Sequence, residues 1–360
     1  MSTLKKRIII SIISIIGVYI LSLGLAEKKY SYTVNVGGED TVEAYLGQGN
    51  YFYKDLGYDI KPLKYFPAFY YRFLSYDIMG GGEQGSSATS EYLEFPDGVM
   101  LYWYAPYEDE MWIAKYPFDH KILERLKKHK FSRVLRANGA EANFFDDDLD
   151  FIINIGAEGR AAIWMLKHEE KYLLGLIQGI KGGFDQWDYY HVSGLEGKTR
   201  EEIVLNLLED RSEEFRQQFY DGTLDKSAKN WDRQMKRYQW EIIGNEHFKI
   251  KDFFGYYANG EQYYRYENKP HAFYTDHAVP IEFIVFVESL DEQKQYERLR
   301  IKLDRYEVLE AFEKLCQINC DEPLSFKLSL TRDLTEIFIY VKNKTNIFEI
   351  KTIKASLQDI

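Results

Sequence analysis

The sequence predicts an α+β protein: two duplicated β-β-α-β-β repeats with antiparallel sheets, a helical insert between them, and one N-terminal transmembrane helix. Three observations carry this expectation. The stretch FIINIGAEGRAAIWML (Phe151 to Leu166) returns without a gap as FKLSLTRDLTEIFIYV (Phe326 to Val341). Each copy follows an apolar hairpin and a helix-like segment, as an internal duplication requires. The chain also opens on Lys5, Lys6 and Arg7, followed by an uncharged apolar run from Ile8 to Ala26.

These signals divide the chain. Residues 1–26 read as a membrane anchor or signal peptide, and 27–92 as a strand and loop-rich region. Residues 93–181 form the first repeat, 182–277 a helical insert and connector, and 278–360 the second repeat. A chain of 360 residues is long enough for about two globular units.

The apolar run at residues 8–26 approaches the roughly 20 residues that cross a bilayer. It exceeds the roughly 7–15 residues of an ordinary signal-peptide core, which favours an uncleaved signal anchor over cleavage after Ala26. The basic cluster before it orients the N-terminus inward and the body toward the bacterial periplasm, a single-pass inner-membrane topology. No cysteine lies near the run, so lipid attachment there is excluded.

After YSYTVNV (Tyr30 to Val36), an alternating strand, the glycines of GGGEQG (Gly80 to Gly85) match G-x-G-x-x-G. A dinucleotide site needs a helix to start there, and SSATSEYLEF does not supply one. VMLYWYA (Val99 to Ala105) and MWIAKY (Met111 to Tyr116) read as strands around the turn YEDE, and Asp119 stands at the N-cap position of a helix carrying Ile122, Leu123 and Leu126. Asp146, Asp147, Asp148 and Asp150 resemble the opening of a calcium loop, but Phe151 occupies the place of its turn glycine. Next come the alternating Phe151, Ile153 and Ile155, a turn with Glu158, and a returning strand.

In the insert, Ile203, Leu207, Leu208, Phe215 and Phe219 follow helical spacing, predicting one or two exposed amphipathic helices. GLEGKT (Gly194 to Thr199) ends like a phosphate-binding loop, yet Val192 replaces the glycine that loop needs. The second repeat restates the first. IEFIVFV (Ile281 to Val287) precedes the alternating Leu299, Ile301 and Leu303. Asp304 and Glu307 then form a D-x-x-E capping box ahead of Val308, Leu309, Phe312 and Leu315. Cys316 and Cys320 are the chain's two cysteines. Their short spacing leaves a bridge open, but Cys316 continues the apolar stripe and reads first as a buried thiol.

No catalytic, cofactor-binding or metal-ligating set emerges. His168-Glu169-Glu170 lacks the second histidine of H-E-x-x-H, His271 and His277 are too loosely spaced to argue a metal site, and no G-x-S-x-G occurs. A net charge of −11 argues against a nucleic-acid partner, which requires a basic face. The 30 Tyr and 23 Phe suit β-strands, and beyond that a binding surface.

WEIIGNEHFKIKDFFGYYANGEQ (Trp240 to Gln262), LDRYEVLEAFEKL (Leu303 to Leu315), FPDGVMLYWYAPYEDEMW and INIGAEGRAAIW together resemble an uncharacterised family of bacterial envelope lipoproteins. That family is designated a domain of unknown function, number twenty-nine thirty-one. The resemblance spans roughly residues 91–357 and implies an envelope location without a transferable active site; the missing lipid-attachment cysteine departs from it. The resulting expectation is a membrane-anchored, non-enzymatic module of the envelope that binds another envelope protein or an incoming one in an immunity-like role. The alternative is an envelope hydrolase using Asp146 to Asp150 with Glu158 near Asp185.

Overall fold

The computed structural model describes residues 29–38, 44–46, 50–65, 69–71, 87–88, 93–128, 148–167, 170–183, 197–266, 276–290, 296–318, 321–331 and 336–357. The chain begins with β1 (Lys29–Gly38), β2 (Ala44–Leu46), β3 (Tyr51–Asp55), β4 (Ile60–Tyr65), β5 (Phe69–Tyr71), β6 (Ser87–Ala88) and β7 (Leu93–Glu94). It continues through β8 (Gly98–Ala105), β9 (Glu110–Pro117), α1 (His120–Lys128), β10 (Asp148–Ile155), β11 (Arg160–Lys167), β12 (Glu170–Gln178) and β13 (Ile180–Lys181). The connector holds α2 (Arg200–Glu209), α3 (Glu213–Tyr220), α4 (Lys229–Met235) and β14 (Arg237–Tyr238). After these come β15 (Trp240–Ile243), β16 (Phe248–Tyr257), β17 (Gln262–Tyr266), β18 (His277–Ala278), β19 (Pro280–Ser289) and β20 (Tyr296–Leu303). The chain closes with α5 (Arg305–Ile318), β21 (Leu324–Leu330), β22 (Ile337–Lys342), β23 (Ile347–Ile350) and β24 (Ile353–Leu357).

The two halves share one pairing scheme. In the first, β4, β3, β8, β9 and β13 pair in that order, while β10, β11 and β12 form a meander with β1 parallel to β10. In the second, β17, β16, β19, β20 and β24 repeat the order, and β21, β22 and β23 repeat the meander with β15 parallel to β21. Each helix that follows the hairpin, α1 or α5, carries the chain from one sheet to the other.

The sheets join where the halves meet. A single bridge, Lys171 opposite Gln262, fuses the meander edge β12 to the hairpin edge β17, completing an 11-stranded sheet. The turn between β16 and β17 supplies the rest of the joint. Asn259 and Glu261 are wholly buried there. Trp164 Nε1 donates to the Asn259 carbonyl at 3.1 Å, and the Leu173 amide donates to Glu261 Oε1 at 3.2 Å. Asn259 Nδ2 donates to Glu261 Oε2 at 2.9 Å, and Arg237 forms an ion pair with the same carboxylate. Buried polar groups of this kind are tolerated because each finds a partner. Tyr263 stacks on Tyr172 with ring centroids 6.0 Å apart and shares a hydrogen bond with His277 Nδ1 at 3.0 Å.

Burial follows this arrangement. Phe151 to Ile155 of β10 are all buried, so the first meander is covered on both faces. In β21 only Leu324, Phe326, Leu328 and Leu330 are buried, the alternation of a sheet covered on one face.

The expected architecture needs correction at several points. The protein is mixed α+β with several sheets, and five helices among the described residues. The order β-β-α-β-β is present in each half, as β8-β9-α1-β10-β11 and β19-β20-α5-β21-β22, but the sheets are not purely antiparallel. Each half spreads over two sheets and includes a parallel pair that joins strands distant in sequence. The insert is helical only as far as Met235; strands from Arg237 to Tyr266 follow.

The match between Phe151–Leu166 and Phe326–Val341 also carries a gap in space. Phe151 faces Met165, whereas Phe326 faces Val341, because the second turn is one residue longer. Ile163 therefore corresponds to the buried Ile339 and not to the exposed Phe338, since a one-residue slip would turn the strand inside out.

No helix among the described residues is long and apolar enough to cross a membrane. The run Ile8 to Ala26 lies outside those residues. The transmembrane helix, the signal anchor, the membrane as partner and the single-pass inner-membrane placement with a periplasmic body are accordingly withdrawn.

Candidate functional site

The turn joining β10 to β11 lies between two open cavities. Gly156 N–H donates to the Arg160 carbonyl at 2.8 Å and Arg160 N–H to that of Ala157 at 3.0 Å, closing a tight loop. Glu158 and Gly159 both adopt left-handed backbone, with φ of 53° and 72°. For glutamate that is an uncommon conformation, of the strained kind that gathers at functional sites. Two tryptophans clamp the loop: a Cβ on Gly156 would lie 2.4 Å from Trp231 Cε3, and one on Gly159 2.4 Å from Trp112 Cε3. Glycine at both places is what lets the rings close on the backbone.

On the Trp112 side lies an open cleft of about 590 Å³, lined by Glu108, Glu110, Glu158, Lys181, Asp225, Lys226 and Ser227. Glu108 reaches across from the β8–β9 turn. Its Oε1 accepts the Glu158 amide at 2.7 Å, and its Oε2 accepts Trp112 Nε1 at 3.1 Å. Burial pushes the Glu108 carboxyl above the usual range, the two hydrogen bonds oppose that, and the Glu158 and Glu110 charges add to it. Glu158 Oε2 accepts the Ala228 amide at 3.4 Å, and Gln178 Nε2 donates to the Glu158 carbonyl at 2.9 Å. Asp225 Oδ1 takes the Ser227 amide at 2.9 Å, and hydrogen bonding to Ser227 holds this carboxyl low.

Lys181 of β13 bridges the rim. Its ammonium pairs with Glu110 and stands 5.8 Å from the Trp112 ring centroid. On the Trp231 side a smaller cavity of about 290 Å³ holds Arg160, Gln178, Asp232 and Lys236. There Arg160 grips Asp232 with two hydrogen bonds of 3.0 and 3.1 Å, which raise the guanidinium pKa further.

The sequence-derived carboxylate set does not assemble. Asp146, Asp147 and Asp185 lie outside the described residues. Asp150 faces Leu166 at the far end of the hairpin from Glu158. The intervening strand separates those two acids by roughly 20 Å at about 3.3 Å per residue, too far for paired acid and base work. No group of three or more His, Cys, Asp or Glu set to hold a metal exists among the described residues. Neither the envelope hydrolase nor the membrane-tethered envelope module is supported.

Other expectations resolve locally. GGGEQG, His168, Glu169 and His271 lie outside the described residues. Thr199 of GLEGKT is the N-cap of α2, in a reciprocal capping box with Glu202. Asp304 accepts the Glu307 amide at 2.9 Å, but the Glu307 carboxylate turns away to the Lys351 and Thr352 amides, so only half of that box forms. Cys316 is disulfide-bonded, contrary to the buried-thiol expectation, and Cys320, the chain's only other cysteine, lies outside the described residues. Sequence reading missed Glu108, Trp112, Lys181 and Lys226, because the cleft draws on four separate segments, at residues 108–112, 158, 181 and 225–227. The visible signal was the glycine pair around Glu158.

Family models, curated proteins and solved structures give no match to this chain.

Proposed function

We propose that the protein is a non-catalytic binding protein that takes a cationic group, a primary ammonium or a guanidinium, in the cleft beside Trp112. One observation carries this reading: Lys181 already fills such a place, its ammonium against both the Trp112 ring and the Glu110 carboxylate. Aromatic face and carboxylate together hold cations, with about 0.5–2 kcal/mol from the ring alone. The pair is half exposed, and exposed pairs contribute only about 0–1 kcal/mol, so an incoming cation displaces Lys181 at little cost. Glu108, Glu158 and Asp225 each accept backbone or indole N–H groups. Carboxylates pinned in this way suit a fixed field of negative charge better than proton shuttling.

The test is calorimetric titration with 1,5-diaminopentane. Lys181→Ala should vacate the place and tighten binding several-fold, whereas Glu110→Gln should weaken it by about tenfold, the loss of ~1.4 kcal/mol. Equal affinities for wild type and both variants would remove the cleft as the binding place.

A further inference from the structure

Within the chain, the meander of the first half receives the hairpin of the second. The scheme leaves a matching pair of elements open. The counterpart of the receiving edge β12 is β23, which among the described residues pairs only with β22. The counterpart of the inserted hairpin β16–β17 is β3–β4, and among the described residues β4 pairs only with β3. We propose that these open elements meet between copies: the β3–β4 tip of one molecule docks on the β22–β23 face of another, repeating the internal joint head to tail.

The side chains fit that assignment. Residue by residue, Ile347 corresponds to Lys171, Tyr340 to Trp164, and Phe338 to Ala162. Trp164 and Ala162 are fully buried, Trp164 beneath the turn of the second half, whereas Phe338 is 37% and Ile347 60% exposed. On the other partner, Ile60 stands where Gln262 does, as the first residue after the turn, and the turn itself presents Leu56 at 42% and Tyr58 at 88% exposure. The bridge Lys171 opposite Gln262 would thus recur as Ile347 opposite Ile60, polar inside the chain and apolar at the open ends. Edge strands are ordinarily guarded by lysine and proline. Lys61 and Pro62 do guard β4, but beyond its first residue, so they limit contact to the tip, the part the internal joint uses.

Such a contact is heterologous and leaves one free end of each kind on every open assembly, so it grows into open chains or closes into rings. The proposal stands apart from the cation cleft. Its test is sedimentation velocity of the full chain over a concentration series. Wild type should show a rising weight-average sedimentation coefficient. A donor-blocked variant (Leu56→Asp with Tyr58→Asp) and an acceptor-blocked variant (Phe338→Lys with Ile347→Lys) should each sediment as monomer, with circular dichroism confirming the fold. Mixed in equal amounts, the two should form a dimer and nothing larger, because each retains the end the other lacks. A wild type monomeric at every concentration overturns the proposal, as does self-association that survives in either folded variant, or a mixture that stays monomeric.

Discussion

The hairpins β3–β4 and β16–β17 hold the same position in the two halves, yet their turns meet opposite surroundings. The first ends in Leu56, Gly57, Tyr58 and Asp59, all exposed; the second ends in Ala258, Asn259, Gly260 and Glu261, all buried. In each an acid precedes the second strand, and the residue after the first strand or at its end donates to that acid's carbonyl at 3.0 Å. One backbone device therefore serves as a solvated tip in one half and as a keystone in the other. What differs is the partner: Glu261 binds the Leu173 amide, Asn259 and Arg237, while the Asp59 carboxylate takes only the adjacent Ile60 amide among the bonds seen here.

Removing the acid from both turns gives the largest contrast. Glu261→Ala leaves Arg237, 16% exposed, facing a buried gap, and breaking a buried pair costs about 3–5 kcal/mol. Asp59→Ala, on an exposed turn, should stay within about 0.5 kcal/mol. Urea denaturation of the two variants measures both; similar losses would erase the distinction between keystone and tip.

Lys171 sharpens the same contrast through pH. Burial alone pushes its ammonium down to about 8, while the unfolded chain retains a lysine pKa of about 10.4. Between those values the unfolded chain binds more protons, so stability rises with pH across that window, by at most about 3 kcal/mol, and the penalty is complete below it. Lys171→Met should raise stability at neutral pH and flatten the rise. A wild-type profile flat from pH 8 to 10 would show that the joint does not penalise the charge. Tyr53 and Tyr238, pushed up to about 12 by burial, lower stability only as pH passes about 10, where the unfolded phenol ionises.

Trp164→Phe is the mildest probe. It keeps a ring but leaves the Asn259 carbonyl without its indole donor, at a cost of about 1–3 kcal/mol. Tyr340→Phe, at the corresponding place in the second half, should change unfolding far less. Equal effects would mean that Trp164 acts through packing and not through the joint.

What the sequence revealed, and what it hid, follows from how far each signal reaches. Phe326, Leu328 and Leu330 alternate because one face is covered, and a local pattern of that kind is readable in a short window. Helices α1, α2, α3 and α5 were legible for the same reason, Ile203, Leu207 and Leu208 being one stripe packed on Tyr45, Tyr104 and Tyr107, whereas the short α4 (Lys229–Met235) was not. The parallel partners β1 and β15 were invisible as such, since nothing in YSYTVNV names a strand far along the chain. The one-residue difference between the repeated turns was hidden because both strands are apolar throughout. Of the cleft, only Glu158 was in view; Glu108 and Lys181 belong to it through sheet geometry alone.

The parallel pair of β1 with β10 has a consequence for the way the chain comes into being. Ser31 lies opposite Asp148, so during synthesis β1 has no β10 to lie against until the stretch ending at Ile155 has also emerged. At about 5–20 residues per second that wait lasts several seconds, far longer than the microseconds in which a hairpin such as β8–β9 closes. The second half repeats the delay on a shorter scale, Trp240 waiting for Leu324. Both meanders can therefore zip locally while their parallel strands arrive last. Slow, non-local closure of this sort sets the folding rate, and a chaperone would encounter the growing chain with β1 not yet paired to β10.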